Sequence, residues 1–202
     1  MRTIRLFLWP LVLGTTLLMS STTPTSADHT KRARATLRSC ADGTTFVGRA
    51  LLVENPSREA LKVVDAFIDV RGLTRGKHAV HIHAVGSCES TTAACSGAGS
   101  HLDLGPFPHN APVTENHPYH SGDLVNVDVG SDGRGSVATV TNRIALTPDR
   151  EDRPDTRPLS IFDADGASII IHAMPDAYCP DPTDPNCAGG GRTACGVLRP
   201  ES

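Results

Sequence analysis

The chain has 202 residues, 22 acidic and 19 basic, giving a net charge of -3 with histidines neutral, and only 4% of its residues are aromatic. This length suits one domain with a full hydrophobic core, and the acidic balance argues against nucleic acid as a partner.

The first 27 residues read as a secretory signal peptide: Arg2 and Arg5 make a positive start, residues 6–19 are apolar, and Thr25-Ser26-Ala27 is a small-residue cleavage site. Pro10 and Gly14 break the apolar run, which is short for a membrane span, and no cysteine follows it to take a lipid. A secreted, extracellular or periplasmic protein is expected, with no membrane attachment after cleavage. Loss of Arg2 and Arg5 leaves 17 basic against 22 acidic residues, a net charge of -5. Residues 28–36 are charged, lack apolar periodicity and are read as a flexible arm, leaving 37–202 as the folded domain.

From Leu37 onward the pattern is strand. Residues 44–53, 61–70 and 78–83 are β-branched and aliphatic runs, 124–129 and 136–140 alternate, and 167–171 and 193–198 complete the set. Asp42-Gly43, Asp132-Gly133 and Asp165-Gly166 are turn signals. No stretch holds a 3.6-residue period. Short strands at this spacing predict an all-β fold, a Greek-key barrel or sandwich of about eight antiparallel strands.

Seven potential metal ligands fall in four clusters. His81 and His83 are at i and i+2 of a strand, so they share a face, roughly 7 Å apart at their base. His101 and His109 lie in a loop rich in Gly, Pro and Asn. His120 and Asp123 are three residues apart across a Gly turn. His172 ends the apolar strand 167–171. His117, three residues before His120, reads either as a loop residue or as a competitor for the same metal; His29 reads as solvated. Residues 141–158, rich in Asp, Arg and Pro, are expected to be solvated.

All six cysteines lie after the signal, and an even count in a secreted chain suggests disulfides. Six cysteines allow 15 pairings, and spacing alone does not choose among them.

His81-Ile82-His83, Gly99-Ser100-His101, His109, His120-Ser121-Gly122-Asp123, His172 and Gly191-Arg192-Thr193-Ala194-Cys195-Gly196-Val197 together resemble the copper–zinc superoxide dismutases, in family order, over residues 37 to 199. The resemblance implies dismutation of superoxide to dioxygen and hydrogen peroxide, with copper and zinc as cofactors. It implies His81, His83, His101 and His172 as copper ligands and His101, His109, His120 and Asp123 as zinc ligands, with His101 shared. Arg192 and His101 would be the catalytic residues, Arg192 drawing in the anion. Asp176 would link a copper ligand to a zinc ligand, and His78 would support the site from behind. The resemblance makes Cys195 one end of a disulfide, with Cys88 favoured over Cys95 as its mate. Cys179 and Cys187 are favoured as a second pair, and Cys40 and Cys95 remain, either paired or free. A homodimer is left open.

The donor chemistry agrees: imidazole suits both copper and zinc, and three His with one Asp make a closed tetrahedral zinc set. Residues 174–191, at the place of the family's electrostatic loop, carry Asp176, Asp181 and Asp184 and no Lys, which departs from strong electrostatic steering. The rival readings are a copper-delivery module, a structural β-domain that binds no metal, and a copper-only dismutase. The seven ligands in register, Arg192, and the set His109, His120 and Asp123 argue against them.

Overall fold

The computed structural model describes residues 30–55, 62–105, 116–147, 160–178, 184 and 187–201. Among these, ten strands follow in chain order: β1 (Lys31–Ser39), β2 (Phe46–Glu54), β3 (Val64–Arg71), β4 (Gly76–His78), β5 (Val80–His83), β6 (Val127–Val129), β7 (Arg134–Thr141), β8 (Ser168–His172), β9 (Arg192–Val197) and β10 (Arg199–Glu201). The one helical element described is a 3-10 turn, Ser96–Ala98.

Neighbouring strands run in the order β4-β6-β7-β3-β2-β1-β9-β8-β5, with β10 beside β1. Every strand pairing is antiparallel. The two ends of this path, β4 and β5, are consecutive in the chain with only Ala79 between them. The sheet therefore curls back on itself into a nearly closed barrel, the all-β antiparallel architecture expected from the strand spacing. Its interior is filled by alternate residues of each strand. Leu37, Leu52, Ile68, Ile82, Ile169 and Ile171 are each at most 1% exposed.

Two expectations are corrected. The arm at 28–36 is not an arm beyond its first residues: Lys31 to Thr36 belong to β1, paired with β2 along its length and with β10 at Arg32–Arg34. Alternation is present there, but its inward positions are Ala33 and Ala35, at 0% and 4% exposure. Alanine adds little hydrophobic signal between arginines, so a period of two was hidden. The stretch 141–158 is largely not solvated where it is described, although Asn142 is exposed. Ile144 and Leu146 are buried, and the buried Glu54 carboxylate accepts the amides of Leu146 and Thr147 at 2.6 and 3.0 Å. Residues 148–158 lie outside the described residues.

Disulfides join Cys88 to Cys195 and Cys40 to Cys95. The four cysteines share a small apolar cluster with Ala98 and Ile170 on the outer side of the barrel. Cys187 is also disulfide-bonded; Cys179 lies outside the described residues.

Candidate metal centre

The site is built around one short strand. In β5 the side chain of Ile82 enters the core, so His81 and His83 face outward, where exposed imidazoles would be expected. All four residues of β5 are nevertheless buried, because the long loop after β5 folds back over them. Three backbone hydrogen bonds hold it there. Ile82 N–H donates to Gly122 O at 2.9 Å, Leu102 N–H to Ile82 O at 2.9 Å, and Gly122 N–H to Leu102 O at 2.8 Å. This braid sets His101 opposite His83 and Asp123 opposite His81. It needs glycine at 122: a Cβ there would lie 2.2 Å from Ile82 O.

β8 brings His172. It pairs with β5 so that Ile170 lies opposite His81, and the amide of His172 donates to Ala79 O at 2.9 Å. Pairing of β8 with β9 slips by one residue between Ile171 and His172, so that Arg192 lies opposite His172. A one-residue slip moves a side chain to the other face; here it turns Arg192 to the side that carries His172.

His81, His83, His101 and His172 form one buried group that can hold a metal ion, with one donor atom from each within 4.8 Å of the others. Their second ring nitrogens are already committed. His83 Nδ1 donates to Gly99 O and His172 Nδ1 to Gly190 O, both at 3.0 Å. His81 Nε2 donates to Asp176 Oδ2 at 2.9 Å. What remains facing inward is Nε2 of His83 and of His172, 3.4 Å apart, and Nδ1 of His81, which is buried with no partner.

A second group consists of His101, His117, His120 and Asp123, again within 4.8 Å. Asp123 faces the rings of His101 at 2.8 Å, His120 at 2.9 Å and His117 at 3.4 Å. His117 Nε2 reaches Asp176 Oδ1 at 3.2 Å, and its buried Nδ1 is the ring atom that faces Asp123 Oδ2 at 3.4 Å. Of the two readings of His117 left open by the sequence, the geometry brings it into the group. His109 lies outside the described residues. Asp176 thus joins a ring of the first group to a ring of the second. His78 supports the backbone instead of a ligand ring: its Nδ1 donates to His172 O at 2.8 Å, and its Nε2 faces Thr74 O at 2.9 Å.

The electrostatics of the first set match ligand duty. Burial, then the neighbouring imidazoles, pushes His83 and His172 well below the ordinary histidine range, and His101 down to about 3. They are neutral and ready to donate a lone pair at neutral pH. Burial also acts against a charged His117, but the Asp123 and Asp176 carboxylates outweigh it and raise that ring to about 9. Asp123 is held well below the usual carboxylate range: burial opposes this, and the bonds from His101, His117 and His120 overcome it.

Arg192, half-buried, donates through Nη1 to Cys95 O at 2.7 Å and through Nη2 to Gly99 O. Arg143, a residue that sequence reasoning missed, donates to Asp123 O from the segment after β7. Only the long-range fold puts it there, so no local signal could have revealed it.

The donor sets fit copper and zinc. Four imidazoles suit a redox-active copper, three imidazoles and a carboxylate suit zinc, and the buried Nδ1 of His81, which has no hydrogen bond, points into the first set. A β-barrel that carries two histidine-rich metal sets sharing one imidazole defines a two-metal centre. The chain belongs to the copper/zinc superoxide dismutase family, whose match spans residues 46–198. It is 35% identical over 139 residues to the copper–zinc superoxide dismutase of Deinococcus radiodurans, across 65% of this chain and 68% of that one. Among solved structures it resembles a superoxide dismutase-like protein from Bacillus subtilis, with 26% identity, a TM-score of 0.58, and coverage of 82% of this chain and 97% of that one. A double mutant of that protein matches at 29% identity with a TM-score of 0.56, over 81% and 95% of the two chains.

Proposed function

We infer that this chain dismutates superoxide, two anions and two protons giving dioxygen and hydrogen peroxide. His81, His83, His101 and His172 would hold copper, and His101, His120 and Asp123 would hold zinc together with His117, or with His109, which lies outside the described residues, in its place. The observation that carries this is the place of His101, whose ring lies 4.0 Å from that of His81 and 5.3 Å from that of His120, centroid to centroid. One imidazole serves both sets. Copper, when bound, would supply the one-electron couple, and zinc would be a structural ion.

The chain's own residues do the rest. Arg192 binds the anion: a guanidinium has five N–H donors, two are held by carbonyls, and the others are available to a small oxyanion. His101 Nδ1 faces Asp123 Oδ1 at 2.8 Å, so its Nε2 faces the first set. A proton carried on that Nε2 would lie on the side of the first set. Asp176 fixes the rings of His81 and His117, as supporting carboxylates do for ligand histidines. Burial of all four imidazoles of the first set keeps bulk water from the ligand atoms.

The disulfides support a location outside the reducing cytosol. Residues 1–27 would direct it there as a signal peptide, and the substrate is the superoxide anion. Elemental analysis of the mature protein with a dismutation assay tests the reading: one copper and one zinc per chain with activity is expected, and a protein saturated by copper alone would remove the zinc assignment.

A further inference from the structure

We propose that the Cys40–Cys95 disulfide is a positioning device for Arg192, acting through the carbonyl of Cys95. It is distinct from the Cys88–Cys195 bridge, which ties the start of the same loop to β9. The proposal rests on the reading of Arg192 as the residue that binds superoxide.

The contacts form a closed ring. Arg192 Nη1 donates to Cys95 O at 2.7 Å. Cys95 is bonded through sulfur to Cys40. The amide of Cys40 donates to Thr193 O at 2.8 Å, and Thr193 is the next residue after Arg192. The disulfide is the covalent link that ties the guanidinium's acceptor to the backbone that carries the guanidinium.

Cys95 needs such a link. Its backbone sits at φ 51 and ψ 31, the left-handed region that residues other than glycine rarely adopt. Relaxation to an ordinary conformation would swing its carbonyl away from Arg192. The sulfurs that oppose this are buried, Cys40 at 5% and Cys95 at 2% exposure. They pack against Ala98 of the adjoining 3-10 turn and Ile170 of β8. Four residues after Cys95, Gly99 O accepts from both Arg192 Nη2 and His83 Nδ1. The anchored segment therefore presents two acceptors to Arg192, one of them shared with a ring of the first metal set. The His81, His101 and His172 contacts do not pass through it.

The test is a double-mutant cycle between bridge removal, Cys40→Ala/Cys95→Ala, and Arg192→Ala, on metal-loaded protein. Bridge removal is expected to lower the dismutation rate several-fold when Arg192 is present and to have no further effect in the Arg192→Ala background. A second readout uses the metal-free chain. Phenylglyoxal should modify Arg192 several-fold faster once the bridge is gone, as followed by mass spectrometry. If the alanine pair does not fold, Cys40→Val/Cys95→Ala refills the space beside Ile170 while still removing the link. Equal losses of rate in both backgrounds, or an unchanged modification rate, would overturn the proposal and leave the bridge a general support. An Arg192→Ala variant with full activity would instead overturn the reading of Arg192 beneath it.

Discussion

Asp176 Oδ2 accepts a hydrogen bond from His81 Nε2 at 2.9 Å, with both side chains wholly buried. That bond decides which nitrogen of His81 is left to bind a metal. With Nε2–H committed, Nδ1 is the donor, and it is buried with no hydrogen bond among the described residues. Through its other oxygen, Asp176 does the same for His117 at 3.2 Å. One carboxylate therefore orients a ring in each metal set.

Asp176→Asn should weaken both sets at once. Loss of a supporting carboxylate typically costs about 10–100-fold in metal affinity. Chelator competition on the holoprotein would show both metals released at lower chelator concentration. An unchanged affinity for both would mean that the rings are oriented by packing alone.

His117→Ala should release zinc while leaving copper in place. Its Nδ1 points into the second set and its ring is 6.3 Å from that of His81. Metal analysis of this variant beside His109→Ala separates the two candidates for the third zinc imidazole. Full zinc in His117→Ala and none in His109→Ala would return the assignment to His109.

Gly189→Ala should disturb His172. Gly189 has a φ of +85°, and a Cβ there would lie 2.6 Å from Ala79 Cβ and 2.7 Å from His172 Cβ. Overpacking of this kind costs about 1–3 kcal/mol, with the strain of a left-handed alanine added. A lower melting temperature and an altered copper spectrum are expected. A native spectrum would show that the 189–190 segment yields and the ring does not.

Stripped of metal, the chain should be most stable near pH 6.5. His101 falls from an ordinary 6.5 to about 3 in the fold, chiefly through burial, and His83 and His172 are lowered in the same way. Below pH 6.5 the unfolded chain binds protons that these folded rings refuse, so stability falls as pH drops. His117 is the opposite case. Burial acts against its charge, but the carboxylates raise it from 6.5 to about 9. Its contribution is complete below 6.5 and is lost as pH rises through 9. Thermal melts of the metal-free protein from pH 4 to 10 should give a maximum with an acid limb steeper than the alkaline one, since three rings act on the acid side. A stability that rises steadily with pH would contradict the carboxylate hold on His117.

Dismutation should depend weakly on salt. Residues 174–191 contribute aspartates and no lysine, so attraction rests on Arg192 at short range. Charges closer than the Debye length, about 8 Å at 0.15 M, are screened least. The rate from low to high ionic strength should change little for the wild type. Arg192→Ala should lower it clearly, and Arg192→Lys less. A steep fall in the wild type with little effect of Arg192→Ala would place the guiding charges elsewhere.

The sequence displays this centre unevenly. His81 and His83 are legible because a strand places i and i+2 on one face, and His120 and Asp123 because a Gly turn joins them. The barrel is legible in the strand spacing. The strand β1 is not, because alanine carries its inward face between arginines. His117 is ambiguous in sequence, since a histidine before proline in a loop has no periodicity to aim it; the Ile82–Leu102–Gly122 braid, a long-range feature, brings it in. Arg192 faces the site through a one-residue slip between β8 and β9, which local pattern does not encode. The pairing of Cys40 with Cys95 likewise depends on the β1–β2 turn meeting the loop after β5.

The central claim is that the His101 imidazole is shared by two metals. Loading copper into the first set and cobalt(II) into the second tests it by electron paramagnetic resonance. A shared imidazole couples the two spins, so the copper signal should be lost or strongly reduced, and should return at full intensity in His101→Ala loaded in the same way. A full, unperturbed copper signal in the wild-type protein with both metals bound would contradict the account.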